Sequence, residues 1–172
     1  GVTIVAKSLS VLSGTFNLNN VNLIVGATSV SSSGRFVSRN SKGTLWQNDN
    51  LTINGAYVLQ NSTLRMNGTV DGAIGINVTS TGSMLINESS NITNGNDSSF
   101  NFFFRVASGA TFNMNDSALS YAGWSSSLGQ NGLEIYTDNS IIRNNTIFDC
   151  YNGVSVYGGF SSIIENNIKA KH

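Results

Sequence analysis

Few side chains in this 172-residue chain are equipped for chemistry, and their spacing limits what they can do. The only histidine is His172, the last residue, so no serine or cysteine has an imidazole base to activate it. Glu88 and Asp116 are 28 residues apart in matching settings, Ile-Asn-Glu-Ser and Met-Asn-Asp-Ser. If the chain repeats at that interval the two acids stack, and stacked carboxylates repel unless a cation, a proton or a sugar hydroxyl lies between them. Calcium suits such oxygen donors. Glycoside hydrolysis would need the carboxyls about 5–9.5 Å apart across a cleft. The competing reading is conformational: Asn and Asp tolerate left-handed backbone in turns, and the two acids replace Asn there. A lyase-type set of acid and base on one face finds Arg105, Glu134 and Asp138, which read as a surface ladder. Tyr136 and Tyr157, with Trp124 nearby in sequence, offer rings for stacking on sugars, or for stacking on one another along a repeat. Cys150 has no partner cysteine and reads as a small buried apolar residue.

The elements that must position these residues are repeats. Gly132-Leu-Glu-Ile-Tyr136 with Ile141-Ile-Arg-Asn-Asn-Thr-Ile147 recurs as Gly153-Val-Ser-Val-Tyr157 with Ile163-Ile-Glu-Asn-Asn-Ile168. Alignment of Ile142 with Ile164 places Asn144 over Asn166. The same corner unit recurs as Leu18–Leu23, Leu59–Leu64, Ile86–Ile92 and Met114–Leu119. Its starts are separated by 41, 27, 28, 28 and 22 residues. Such spacing is that of a solenoid whose turns extrude loops of unequal length. A second ladder pairs Leu51/Ile53, Ile76/Val78, Phe104/Val106, Leu133/Ile135 and Val154/Val156. Period two points each pair inward and the intervening Asn77, Arg105, Glu134 and Ser155 outward. Stacking then sets Arg105 beside Glu134 and Arg143 beside Glu165. Gly55, Gly82 and Gly109 recur where a turn needs a positive φ or a close backbone approach. No stretch has a 3.6-residue period, so helices are expected to be few or absent.

Composition agrees. Proline is absent, as expected where each backbone N–H is needed by a neighbouring strand. Only 10% of residues are charged and the formal net charge is zero, which speaks against a nucleic-acid groove or an anionic membrane surface. No run is long and apolar enough for a membrane span or signal peptide. Gly, Ser, Thr and Asn make nearly half the chain. Asn-X-Ser/Thr sequons occur at Asn50, Asn61, Asn67, Asn77, Asn87, Asn91, Asn96, Asn115 and Asn144. An Asn-rich chain makes some by chance, yet their density fits an exported glycoprotein.

The segment Ile142-Arg-Asn-Asn-Thr-Ile-Phe-Asp-Cys-Tyr-Asn-Gly-Val-Ser-Val156 resembles the right-handed parallel β-helix repeats of NosD-like and related carbohydrate-binding or sugar-hydrolase-like proteins. It is also similar to repeats of large archaeal and bacterial surface proteins. The resemblance implies an exported location and carries over no catalytic residue. Copper binding, which it would also imply, needs converging Met, His or Cys, and Met66, Met84 and Met114 share no ladder position. The expected fold is all-β, a single right-handed parallel β-helix of about six coils over residues 1–172. Residues 1–50 are expected as an irregular cap or first coil, and 51–172 as regular coils. Residues 26–50 are expected as a loop or an extra irregular coil, with Trp46 packed on the core. The expected role is structural: an extracellular or cell-surface glycoprotein that self-associates through its solenoid ends as a layer, sheath or filament. No cofactor is expected unless calcium at Glu88 and Asp116. The alternatives are a carbohydrate-binding module or a polysaccharide lyase or hydrolase.

Overall fold

The computed structural model of the chain describes residues 2–41, 45–95 and 100–171. Among these residues all regular structure is β-strand, and the strands pair in parallel. Among the described residues no helix is long and apolar enough to cross a membrane. The chain is a parallel β-helix.

Two long strands, β1 (Thr3–Asn19) and β2 (Asn22–Arg39), each make a whole turn of the solenoid. Later turns divide into three strands. They are β3 (Leu45–Gln47), β4 (Leu51–Ile53) and β5 (Ala56–Gln60), then β6 (Thr63–Met66), β7 (Gly75–Val78) and β8 (Ser83–Asn87). Next come β9 (Asn91–Asn94), β10 (Phe103–Val106) and β11 (Thr111–Asn115), then β12 (Ala118–Ser120), β13 (Leu133–Ile135) and β14 (Asn139–Arg143). The last are β15 (Thr146–Phe148), β16 (Val154–Val156) and β17 (Ser162–Ile164), followed by β18 (Asn167–Lys169). Among the described residues this makes seven turns and the first strand of an eighth, against about six read from the repeats. Because β1 and β2 run through all three strand ladders, they join them into one 18-stranded sheet.

Register follows the apolar pattern. Parallel strands about 4.8 Å apart place equivalent side chains directly over one another. In the middle ladder Ile76 pairs with Leu51 below and Phe104 above, and Phe104 with Leu133. All four are fully buried. The first ladder stacks Leu23, Leu45, Leu64, Ile92, Leu119 and Ile147. The third stacks Phe16, Phe36, Tyr57, Met84 and Phe112. Within it the Phe36 and Tyr57 rings lie 4.6 Å apart at 8°. No turn buries its own apolar side chains; its neighbours do.

The N-terminal region is more regular than its sequence indicates. Residues 22–39, expected in part as a loop, are strand paired to β1 almost residue for residue. The 41-residue gap between corner units hides a complete turn, because Ser38 stands where other turns carry Leu, Ile or Met. Ser38 is nonetheless fully buried, its hydroxyl donating to Ser62 Oγ at 3.2 Å. Trp46 is not a core residue: it faces outward from β3, with Arg65 over its ring at 5.6 Å. The repeat alignment at the C-terminal end shifts by one, since Ile142 pairs with Ile163 and not with Ile164.

The longer connections, 67–74, 95–102 and 121–132, all leave at the same corner, between the first and second strand of a turn. Their described residues pack on each other there. A Cβ at Gly72 would lie 2.4 Å from the Trp124 ring, so Gly72 leaves the space this indole fills. The three recurring glycines divide between their two possible roles. Gly109 has φ +85°, whereas a Cβ on Gly55 would lie 2.0 Å from Ser31 O.

The stacked core makes a direct prediction. Ile76→Ala removes a fully buried side chain clamped between two turns and should cost about 2–5 kcal/mol in urea unfolding. A loss under about 1 kcal/mol would show that the middle ladder is not packed as described.

Candidate functional site

The corner between the third strand of one turn and the first of the next gathers most of the residues with chemical potential. One residue there is left-handed in every turn: Asn20 (φ 55°), Asn40 (57°), Asn61 (45°), Glu88 (56°), Asp116 (49°), Asn144 (52°) and Glu165 (55°). The turn with Glu88 is one residue longer, and its extra Ser89 is left-handed as well. Asn and Asp tolerate this conformation best, which accounts for the Asn-rich corner. Glu88 and Asp116 do occupy one ladder position, with Asn61 before and Asn144 after. The last member of the series is Glu165, where the repeat alignment placed Asn166.

The two acids are engaged in opposite directions. Asp116 Oδ1 accepts from Asn144 Nδ2 at 2.6 Å, in the following turn. Glu88 Oε1 accepts from Gln60 Nε2 at 3.0 Å, in the preceding turn. The same amide ladder continues below, with Asn61 Nδ2 donating to Asn40 Oδ1 and Asn40 Nδ2 to Asn19 Oδ1. At the upper end Arg143 meets Glu165 at 3.4 Å, the pairing expected from the sequence. Outside this corner lies a polar groove of about 510 Å³, lined by Glu88, Asp116, Arg143, Asn144 and Glu165 among others. Among the described residues no three His, Cys, Asp or Glu side chains converge as a metal site.

Just inside the left-handed residue runs a ladder that sequence reading missed. Ser41, Ser62, Ser90, Ser117 and Asn145 are all buried. Ser41 N donates to Ser62 Oγ and Ser62 N to Ser90 Oγ. Above them Ser117 N donates to Asn145 Oδ1 at 3.0 Å, and Asn145 N to Asn166 Oδ1 at 2.9 Å. Ser62, Ser90, Asn145 and Asn166 thus each satisfy a backbone N–H that the corner withdraws from the strand ladder, as buried polar groups require, while the Ser41 and Ser117 hydroxyls donate to the carbonyls of Val21 and Asn115. The signal was a Ser or Asn one place after the left-handed residue from the second corner onward, or two in the longer turn.

The outer face of the middle ladder holds the second group. Thr52, Asn77, Arg105, Glu134 and Ser155 stack in that order. Glu134 departs from expectation. It points outward yet is only 1% exposed, because connection 121–132 folds over it. Its carboxylate accepts from Asn131 N at 3.1 Å and from the Tyr136 hydroxyl at 2.9 Å. Arg105 is its strand neighbour but forms no ion pair with it; the guanidinium carbon lies 4.9 Å from the Tyr136 ring centre. Tyr136 in turn stacks on Tyr157 at 4.8 Å and 16°. The two tyrosines are thus brought together as expected, but with their faces spent on each other and on Arg105. Trp124 is not part of this stack; its indole lies against Gly72.

Eight of the nine sequon asparagines lie in described residues, Asn96 being outside them, as is His172. None of the eight is buried: Asn50 and Asn144 are exposed, and Asn61, Asn67, Asn77, Asn87, Asn91 and Asn115 half-buried. Cys150 is fully buried, aligned with buried Ala122, and burial pushes its thiol up to about 12. Met66, Met84 and Met114 are buried at three different ladder positions. Comparison with family models, with curated proteins and with solved structures finds no match for the chain. Fold and geometry therefore define its class, a parallel β-helix with a hydrogen-bonded polar corner.

Two outcomes are expected from this geometry. Asn144→Gly should change stability little, whereas Asn144→Val should cost about 1–2 kcal/mol through left-handed strain. Equal melting of the two variants would contradict the corner assignment. Stability should also fall in alkali. Burial raises the hydroxyl of Tyr57 and the thiol of Cys150; partial burial and then the Glu134 hydrogen bond push Tyr136 up to about 12. All three are neutral acids raised above their unfolded values. Their contribution is complete below about pH 9 and is lost as pH climbs toward about 12. A melting temperature unchanged from pH 8 to 11.5, or rapid Cys150 alkylation in the folded protein at pH 8, would contradict this.

Proposed function

We propose that the chain is a structural module of an exported, cell-surface or extracellular glycoprotein, and that it self-associates through the ends of its solenoid. The observation that carries this reading is at the two end turns. Ile4, Ile163 and Ile168 belong to the stacks that are fully buried in mid-solenoid, and in the 172-residue chain they are 39%, 41% and 41% exposed, so that a strand laid on either end, from a further turn or from a second copy, would bury them. The edges of β1 and of β16, β17 and β18 carry backbone groups that another strand can pair. Export is supported by the sequon density and by the outward placement of the eight described sequon asparagines. The resemblance of residues 132–169 to NosD-like and surface-protein repeats supports the same setting.

A carbohydrate-binding face on Tyr136 and Tyr157 is less well supported, because the ring faces pack on one another and on Arg105. Hydrolysis by Glu88 and Asp116 is weakened in the same way, since each carboxylate is held by an amide of a different turn.

Sedimentation velocity and negative-stain electron microscopy of the 172-residue chain test the reading. End-to-end dimers or filaments should form with rising concentration, and Ile4→Lys with Ile168→Lys should return the protein to monomers. Wild-type monomers at the highest soluble concentration would refute self-association. Peptide mass spectrometry of native material should find sugar increments on the peptides that carry the exposed Asn50 and Asn144; finding every sequon peptide unmodified would refute glycosylation.

A further inference from the structure

The groove between connection 121–132 and the outer face of the middle ladder is separate from the solenoid ends and from the polar corner. It has a volume of about 280 Å³ and is lined by Asn50, Thr52, Asn77, Phe103, Arg105 and Gly129. We propose that it binds a small hydroxylated carboxylate, with Arg105 holding the carboxylate group.

Among the described residues Arg105 is the only charged side chain lining this groove. The carboxylate that strand register places beside it, Glu134, is diverted to Asn131 N and the Tyr136 hydroxyl. Among the described residues Arg105 therefore has no ion-pair partner. Its guanidinium is not loose, because it rests against the Tyr136 ring, itself fixed by Glu134 and by the Tyr157 stack. A guanidinium lying on a ring keeps its in-plane N–H fork available, and that fork matches the two oxygens of a carboxylate. The positive charge thus stands preorganised, with its local counter-charge spent elsewhere.

The rest of the lining gives the remainder of the ligand. Asn77 and Thr52 stand one and two strands from Arg105 on the same outward row, and among the described residues their side chains make no hydrogen bond. Asn50 Oδ1 accepts from Gly75 N, and among the described residues its amide N–H groups make no hydrogen bond. Phe103 lies across Gly75, where a Cβ would come 2.3 Å from its ring, and supplies one apolar wall. A hydroxyl, two amides, one apolar wall and a guanidinium suit a ligand with several hydroxyls and one carboxylate. The volume lies at the lower end for ligand sites, which favours a single small molecule over a polymer segment.

The test uses the 172-residue chain made without glycosylation, so that Asn50 and Asn77 are both unmodified, titrated by NMR and calorimetry. Gluconate is the probe, glucose the neutral control and inorganic sulfate the tetrahedral anion. Gluconate should shift the Arg105 Nε–H and the Asn77 side-chain amide together, and glucose should not. Arg105→Gln should weaken gluconate binding at least 10-fold, and Arg105→Lys by an intermediate factor through loss of the fork. Ser155→Ala, on the same row beyond Glu134, should leave binding unchanged. Absence of any gluconate shift in the wild-type protein overturns the proposal even if a variant fails to fold. Glucose binding as tight as gluconate, sulfate binding as tight as gluconate, or unchanged binding in Arg105→Gln would each overturn it as well. Failure here leaves end-to-end association intact, because none of these residues lies in the end turns.

Discussion

Backbone hydrogen bonding between consecutive turns is the constraint on which everything else in this molecule depends. Each strand must find its partners about one turn earlier and one turn later in the chain, at a spacing of about 4.8 Å. That spacing places like residues over like and turns a weak sequence repeat into continuous ladders. It also forbids proline within the strands and demands a chain reversal of constant geometry at each corner. The left-handed series from Asn20 to Glu165 is that reversal, made seven times among the described residues. A corner takes backbone N–H groups away from the sheets, and the buried Ser and Asn side chains accept from them. Leaving such a group unpaired in the interior would cost about 1–3 kcal/mol each time. The polar ladder is therefore part of the core.

The same constraint explains why residues that look reactive are mostly occupied. Stacking sets polar side chains beside their counterparts, and most of those that look reactive find a partner there. Asp116 and Glu88 are taken up by amides of neighbouring turns, Tyr136 by Tyr157, and Glu134 by the strap that covers it. Arg105 is the exception, because the strap and Tyr136 consume its carboxylate neighbour. Connections that leave at one corner are free to vary in length without disturbing register. Variation in this fold therefore collects on one side of the molecule, where Trp124 ties two connections together.

The class of fold and the middle-ladder register were legible because Ile76/Val78, Phe104/Val106 and Leu133/Ile135 carry β-branched or large apolar residues at strict alternation. The hidden turn was not legible, because Ser38 is buried through a hydrogen bond and apolar pattern cannot register that. The shift between Ile164 and Ile163 arose because two isoleucines are adjacent and only pairing distinguishes them. Burial of Glu134 depends on where a twelve-residue connection folds back, which alternation does not encode. The stacking of Tyr136 on Tyr157 followed from their equivalent positions; what it leaves available depended on Arg105, a turn below.

In-register stacking of turns is the central claim, and inter-turn nuclear Overhauser contacts of a methyl-labelled protein test it most directly. Ile76 methyls should show contacts to Leu51 methyls and to the Phe104 ring, residues remote in sequence and adjacent in the ladder. The absence of both, with Ile76 contacting instead residues close to it in sequence, would contradict the parallel ladder and with it the rest of the account.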